Sequence, residues 1–288
     1  MKARIIVGAA LVAVFLMMGV FGVRLAPYSP HETHYNQILR APDRHHIMGT
    51  DPLGRDIMSR LICGTRTTMG LALIIAVFNA VIAVSLGALS GFLGGWIEIV
   101  IMRLADALLA LPGFLLAVCF LGVFGGGAVR LALFLVLTGW APLTRVVRNE
   151  ISIVKNQDYI TANASVGYSK TRNLFLHAVP AVLPSLLILF VISLIGDVFV
   201  IVSMSFLGLG LSPQIPEWGM VLHDSRDFIL MSPWLFVFPS AFIGFFALGL
   251  HLMADGLREF FDAKKILYLV EKASRFSYGG TRAGEIEP

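Results

Sequence analysis

Long apolar runs recur along this chain, and they limit its possible folds more than any other feature of the sequence. Six segments are long enough, at roughly 20 residues or more, to cross the hydrocarbon core of a bilayer: 5–24, 68–93, 98–124, 129–149, 178–207 and 233–256. In hydrocarbon, only helices satisfy their own backbone hydrogen bonds without closing a barrel. The sequence therefore predicts an all-α integral membrane protein with about six transmembrane helices.

Composition and missing motifs narrow the function classes. Hydrophobic residues make up 57% of the chain and charged residues 14%, which is too little charge for a soluble domain of this length. No basic stripe that would bind nucleic acid is visible. The sequence contains no Walker A loop, no H-E-x-x-H and no G-x-S-x-G. A transport role without catalysis or a cofactor in this chain is the natural interpretation.

The distribution of basic residues predicts the orientation in the membrane. An even number of spans places both termini on the same side as the loop at 150–177. The loop at 208–232, on the other side, contains only Arg226. The basic residues expected on the first side are Lys2, Arg4, Arg145, Arg148, Lys155, Lys170, Arg172, Arg258, Lys264 and Lys265. The positive-inside rule therefore places the 150–177 loop in the cytoplasm.

The polar segment at 157–184 is longer than a simple connection between two helices requires. Small residues precede Gly167, a basic patch follows it, and Pro180 and Pro184 lie where the next apolar run begins. This pattern predicts two short helices that are broken at a glycine and lie at the membrane surface, where a partner could dock.

The same segment resembles the EAA loop of bacterial ABC importer permeases. Tyr159, Ala162 and Gly167 match the Y-x-E-A-A-x-x-x-G pattern of that family, and His177 and Pro180 match the stretch that follows. The resemblance implies that these residues belong to a coupling helix, which fits a groove on a cytoplasmic ATPase.

Two positions of the loop depart from the family pattern. Thr161 stands where the family usually has Glu, and Asn163 stands where it has the second alanine. Both remain candidates for ATPase coupling. The small side chains and the glycine break are kept, so the docking shape is expected to survive.

Two further segments, at 49–70 and 205–226, resemble the peptide and nickel importers within this family. Their motifs are GTDPLGRDIMSRLICGTRTTMG, and S-F-L-G-L-G followed by P-E-W-G. The alternating Asp and Arg can form an ion-pair cluster that orders a loop, and a tryptophan suits the membrane–water interface. Two interpretations stay open, a docking surface for a binding protein and a folded outer plug. The candidate docking residues are Asp51, Arg55, Asp56, Glu217 and Trp218.

A last match, Asp255 to Arg258 with Asp262, resembles the end of the family's final span. Together the matches resemble the second, or "C", permease of type I ABC importers of the peptide/nickel class, which implies a MetI-like fold. The resemblance also implies a homologous second permease, two ATPases that bind ATP and Mg²⁺, an extracytoplasmic binding protein and the lipid of a bacterial inner membrane. The substrate would be peptides or nickel, free or chelated. A non-transporting scaffold or receptor subunit that docks a cytoplasmic partner is the alternative.

This interpretation divides the chain into four parts. Residues 1–24 would form a retained first helix, because the apolar run is long for a signal peptide and no A-x-A-like cleavage site follows it. Residues 25–67 would form an extracytoplasmic loop. The permease core would follow at 68–256, with the coupling loop at 150–177, and 257–288 would be a cytoplasmic tail.

Polar residues inside the predicted spans are candidates for the transport pathway, because ionisable groups in hydrocarbon are costly and often functional. They are Asp197, Ser203 and His251. Asp197 would meet a cationic ligand or form an intersubunit hydrogen bond, and these two alternatives stay open. Asp106 is expected to pair with Arg103, one helical turn away.

Two other patterns have simpler interpretations. His31, His34, His45 and His46 cluster in the outer loop, but their spacing is not diagnostic of a metal site, so no metal site is predicted. Ala83, Gly87, Gly91 and Gly95 form a small-xxx-small ridge that lets another helix approach closely. That helix would belong to this subunit or to a neighbouring one.

Overall fold

Helices account for the regular structure in the described part of this computed structural model, which covers the backbone of residues 2–280 and the side chains of 4–261 except Thr161 and Ala164. Short helical turns at Tyr35–Gln37, Leu174–Ala178 and Arg226–Phe228 connect the longer elements. The α-helices are α1 Lys2–Leu25, α2 Ile57–Leu93, α3 Gly95–Leu109, α4 Gly113–Phe124, α5 Ala128–Lys155, α6 Asp158–Ser165, α7 Lys170–Asn173, α8 Val179–Phe206, α9 Trp218–Ser225 and α10 Trp234–Gly280.

Among the described residues, five helical segments are long and apolar enough to cross a membrane. They are Arg4–Leu25, Ile57–Leu93, Ala128–Lys155, Lys170–Phe206 and Trp234–Phe261. The pair α3 and α4, bent by 77°, passes the same test only when the two helices are taken together, as one broken span or as a re-entrant loop. The prediction of an all-α protein with about six spans is confirmed, but 98–124 is not one straight helix. Pro112 lies at the bend, where it cannot continue a helix and disfavours helical backbone at the residue before it.

The second span begins at Ile57, so the predicted outer loop at 25–67 is too long. The carboxylate of Asp56 accepts a hydrogen bond from the Ser59 N–H (2.8 Å) and caps this helix. Arg60 and Arg66 lie in its first turns and lower the hydropathy there, which hid the start of the helix from the apolar pattern. At the other end of the core, α5 continues to Lys155, into the predicted 150–177 loop.

The small-residue ridge of α2 packs against α5 of the same chain. A Cβ atom added to Gly87 would lie 2.6 Å from the Val147 Cβ, and one added to Gly91 would lie 2.6 Å from the Arg148 carbonyl oxygen. Ala83 is also buried, whereas Gly95 lies beyond the ridge at the start of α3 and has no neighbour within 4 Å of a Cβ. Of the two interpretations of the ridge, packing within one subunit is confirmed for Gly87 and Gly91.

The first helix contributes Phe15 to the main hydrophobic core and approaches its neighbours most closely near its two ends. A Cβ on Gly22 would lie 3.0 Å from the Ile62 carbonyl oxygen of α2, and a Cβ on Gly8 would lie 2.6 Å from the Met253 nitrogen of α10. Arg4 forms an ion pair with Glu259 of α10 (2.9 Å). The beginning of α1 therefore lies beside the C-terminal part of the last span, which is consistent with an even number of spans.

Candidate functional site

The segment between α5 and α8 folds into two short helices that are separated at Gly167. α6 ends at Ser165, α7 begins at Lys170, and Gly167 has a φ of +93°, which L side chains rarely adopt. The Tyr168 N–H donates to the Asn163 carbonyl oxygen (3.1 Å) and closes α6. The predicted pair of helices broken at a glycine is confirmed. We call residues 158–178 the coupling segment.

The first part of the coupling segment, before the span Lys170–Phe206, exposes apolar surface. Tyr159 and Val166 are exposed, the latter to 80%, and Ala162 beside them is also exposed. Asn163 is half-buried, and the side chain of Thr161 lies outside the described residues. Exposed apolar side chains that cluster in this way are typical of a protein interaction surface.

Ring contacts order the second half of the coupling segment. The Arg172 guanidinium lies 4.2 Å from the centre of the Tyr168 ring, and the centre of the His177 ring lies 5.8 Å from it in a tilted arrangement. The His177 Nε2 atom is buried and has no hydrogen-bond partner among the described residues. Pro180 is exposed in the first turn of α8 and follows the π-helical turn Leu174–Ala178, where its missing N–H interrupts the regular helical hydrogen bonding.

A separate hydrophobic cluster anchors the coupling segment to three spans. Leu174 and Ala178 of the segment pack there against residues of α2, α5 and α8. The members from the spans are Ala88, Phe92, Val147, Ile151 and Val182. Because protein interiors are close-packed and transmit strain, this packing connects the coupling segment mechanically to the three helices.

On the opposite side of the bundle, two Asp and two Arg side chains form a buried ion cluster. Asp51 Oδ2 lies 2.6 Å from Arg55 Nε and 2.6 Å from Arg60 Nη1. Asp224 Oδ2 lies 2.8 Å from Arg55 Nη2 and 2.9 Å from Arg60 Nη1. Asp51 and Arg60 are each 1% exposed. The cluster ties the start of α2 to α9, and we call it, with Glu217 and Trp218, the outer junction.

A second network orders the loop that precedes α2. His46 Nδ1 lies 2.9 Å from Asp56 Oδ1, and His46 Nε2 lies 2.7 Å from Gln37 Oε1. His46 is buried in this network, whereas His31 and His45 are exposed and His34 is half-buried. Within the described ranges, no group of three His, Cys, Asp or Glu residues is arranged to hold a metal ion.

Glu217 is fully buried and caps α9. Its carboxylate accepts hydrogen bonds from the Gly219 N–H (2.9 Å), the Met220 N–H (3.0 Å) and the Thr68 hydroxyl (3.2 Å). Burial raises the pKa of this carboxyl group, and the hydrogen bonds oppose that shift. Glu217 therefore joins α2 to α9 from inside the junction.

Trp218 is also fully buried, so its predicted place at the membrane–water interface is wrong. Its indole N–H donates to the Leu61 carbonyl oxygen (3.1 Å), and its ring packs edge-on against Phe15, Phe242 and Phe246. The interior supplies both the apolar contacts and the hydrogen-bond acceptor that an indole needs. Trp218 lies at the centre of the main hydrophobic core.

The raised pKa of Glu217 predicts a pH-dependent stability. The folded chain holds this proton more tightly than the unfolded chain, so protonation adds stability. That contribution is complete below the ordinary pKa of 4.5 and is lost as the pH rises through the raised pKa. We expect the difference in thermal midpoint between the wild type and Glu217→Gln to shift against the wild type as the pH rises from 4.5 through the raised pKa. A series of thermal unfolding measurements at different pH values tests this. A difference that stays constant with pH would contradict the assignment.

The fold brings four of the five candidate docking residues into the outer junction, and Asp56 lies in the neighbouring network with His46. Arg55 is half-buried, and Asp51, Asp56, Glu217 and Trp218 are buried. Direct contact of these side chains with a binding protein stays a prediction. Sequence reasoning missed Asp224 and Thr68, because the partners in the junction are far apart in the chain.

The pathway candidates do not share one face. Ser203 lies on a strip of α8 with Ile192, Gly196 and Phe199, which are exposed. At about 100° per residue, Asp197 lies on a different flank of the helix, one turn from Ser193. Its Oδ2 atom is buried without a hydrogen-bond partner among the described residues. His251 is exposed on α10.

Asp106 does not pair with Arg103. Its carboxylate accepts a hydrogen bond from Arg145 of α5, and Glu98 pairs in the same way with Arg148. Both ion pairs join α3 to α5 and line a polar cleft that also includes Arg103. The prediction failed because α5 supplies a closer partner than the neighbouring turn of α3.

Known proteins match this chain over most of its length. Residues 83–266 match the family described as binding-protein-dependent transport system inner membrane component. The chain is 31% identical to the oligopeptide transport system permease protein OppC of Bacillus subtilis, over 90% of this chain and 85% of that protein. It is 32% identical to the glutathione transport system permease protein GsiD of Pectobacterium atrosepticum (92% and 88%). It is 30% identical to the dipeptide transport system permease protein DppC of Alkalihalophilus pseudofirmus (90% and 85%).

Proposed function

Because this chain belongs to the family of binding-protein-dependent transport system inner membrane components, we propose that it is one of two homologous permeases of an ABC importer. It is a multi-pass inner membrane transport subunit and not an enzyme. Each permease would dock one of two ABC ATPases, which would bind ATP and Mg²⁺. The observation that carries this proposal is the coupling segment, with its exposed apolar surface and its buried attachment to α2, α5 and α8.

The coupling segment would convert ATPase closure into movement of the spans. When two ATPases close on ATP, they would bring the coupling segments of the two permeases together. The cluster of Leu174 and Ala178 with the spans would transmit that motion, because packed interfaces shift between discrete arrangements. The pathway between the permeases would then change from inward-facing to outward-facing.

The outer junction would hold the extracytoplasmic ends of the spans in register for the binding protein. Its charged side chains are satisfied inside the chain, so the contact itself would come from exposed neighbours. Leu230 is 96% exposed and Met231 is 75% exposed, and both lie in the loop just after α9. Apolar side chains with such exposure favour a protein partner at this end.

Peptides are the substrate class that we propose. Three relatives are named as oligopeptide, glutathione and dipeptide permeases, and Asp197 adds a carboxylate inside a span. The Oδ2 atom of Asp197 is buried and has no hydrogen-bond partner among the described residues. The terminal ammonium group of a passing peptide would supply that partner. Nickel, free or chelated, stays a second prediction that these relatives do not address.

Asp197→Asn tests this role of the carboxylate. We expect the apparent KM for peptides with a free amino terminus to rise at least tenfold, since a hydrogen bond to a charged group contributes about 1.5–3 kcal/mol. N-acetylated peptides should be unaffected. Uptake by reconstituted vesicles measures both, with Ser193→Ala as the control one turn away. An equal loss for both peptide types would show that Asp197 is structural.

Binding-protein-dependent ATP hydrolysis tests the whole proposal. The chain would be reconstituted with the second permease, the two ATPases and the binding protein of its system. ATPase activity would be measured with peptides, with nickel or with no ligand. Stimulation by peptides together with uptake supports the importer, and stimulation by nickel alone would change the substrate. An intact complex that no loaded binding protein stimulates would favour the scaffold alternative.

A further inference from the structure

A groove between the spans of this chain has a single charged side chain in its lining. The groove has a volume of about 360 Å³ and lies between α1, α2, α8 and α10. Its apolar lining includes Val12, Leu16, Leu73 and Leu194. Arg66 is the charged residue, and it lies in the segment of α2 that spans the membrane.

The course of α1 creates this groove. α1 touches α2 at Gly22 near its outer end and touches α10 at Gly8 near its inner end. Between these contacts it crosses from one helix to the other, so the middle of α1 stands away from α2. A Cβ on Gly70 of α2, which lines the groove, would have no neighbour within 4 Å. The opening is therefore a consequence of how the glycines place the helix.

Arg66 has no counter-charge within the described part of the chain. It is exposed, and among the described residues no carboxylate forms an ion pair with it. A guanidinium ion in hydrocarbon is costly unless it meets an anion or extends to the interface. Gly22 is level with Ile62, and Arg66 is one turn further inward. Its long side chain can therefore reach the headgroup level at the outer end of α1.

We propose that this groove binds a phospholipid of the outer leaflet. The phosphate lies on the Arg66 guanidinium, which presents paired N–H donors to phosphate oxygens. An acyl chain lies along the apolar lining from Val20 to Val12 of α1, a distance of about 12 Å at 1.5 Å per residue. The lipid fills the space between the middle of α1 and α2. This proposal does not rest on the transport role.

The test uses the full-length chain, purified in a mild detergent and mixed with phosphatidylglycerol. Native mass spectrometry then counts the lipids that the protein retains. We expect Arg66→Gln to weaken retention about tenfold, whereas Arg24→Gln, an exposed arginine of α1 outside the groove, should leave it unchanged.

Gly70→Leu keeps the proposal testable if the arginine variant does not fold. Leucine at this position has free space and fills the groove, so it should also lower retention about tenfold with Arg66 intact. Gly244→Leu is the matched control, because its Cβ also has no neighbour within 4 Å and Gly244 does not line the groove. Wild-type retention in both groove variants would overturn the proposal. A cross-link from Gly70→Cys to a second permease in membranes would also overturn it, since a protein helix would then fill the groove.

Discussion

Replacing Gly167 with valine should reduce substrate uptake at least tenfold while the ATPases continue to hydrolyse ATP. Gly167 has a φ of +93°, and a β-branched residue held in such a conformation costs about 1–3 kcal/mol. A Cβ would meet no atom within 4 Å, so the effect comes from the backbone and not from a clash. Relief of this strain would change the angle between α6 and α7 and would displace the surface that contains Tyr159 and Val166. Uptake and ATP hydrolysis, measured on the same proteoliposomes, give the ratio of substrate moved to ATP hydrolysed.

Two variants separate backbone strain from other causes. Gly244→Val adds the same side chain to a helix at a position without Cβ neighbours, and it should transport normally. Gly167→Asn should be intermediate, since asparagine tolerates positive φ better than other non-glycine residues. If Gly167→Val keeps the wild-type ratio of substrate moved to ATP hydrolysed, the glycine break is not needed for coupling.

The parts of this fold that could be predicted are those with a local signal. Apolar length revealed the spans, and the glycine between polar helices revealed the break at Gly167. The start of α2 was missed because Arg60 and Arg66 interrupt the apolar pattern, although Arg60 is neutralised by Asp51 and Asp224. The bend between α3 and α4 was missed because Pro112 lies in a run that is apolar throughout.

Contacts between distant segments could not be predicted from one sequence. Arg55 and Arg60 share Asp224, which is more than 160 positions away, and no local pattern indicates that pairing. The alternating charges correctly indicated an ion cluster, but not that the fold would bury it. Trp218 shows the same limit, because its aromatic character fits an interface and a core equally well. Only the packing of α1 and α10 around it decides between the two.

Asp51→Asn should destabilise the protein by about 3–5 kcal/mol, the usual cost of breaking a buried ion pair by removing one partner. Asparagine keeps an oxygen for the Leu53 and Arg55 N–H groups but removes the negative charge from Arg60, which is 1% exposed. Asp224 alone would then face two guanidinium groups. The measurement is the temperature at which half of the purified protein loses its monodisperse state.

This variant also distinguishes the two interpretations of the outer segments. If the outer junction acts by ordering the chain, Asp51→Asn loses thermal stability, and the protein that stays folded responds normally to the binding protein. Asp227→Asn is the matched control: Asp227 is 76% exposed at its side chain and lies 3.4 Å from Arg226. The stability of Asp227→Asn should therefore stay within about 0.5 kcal/mol of wild type.

If Asp51→Asn were as stable as wild type but needed more binding protein for half-maximal ATPase stimulation, Asp51 would be a docking residue. Its burial makes the first outcome the expected one, because a side chain enclosed by Arg55, Arg60 and backbone N–H groups has no free acceptor to offer a partner.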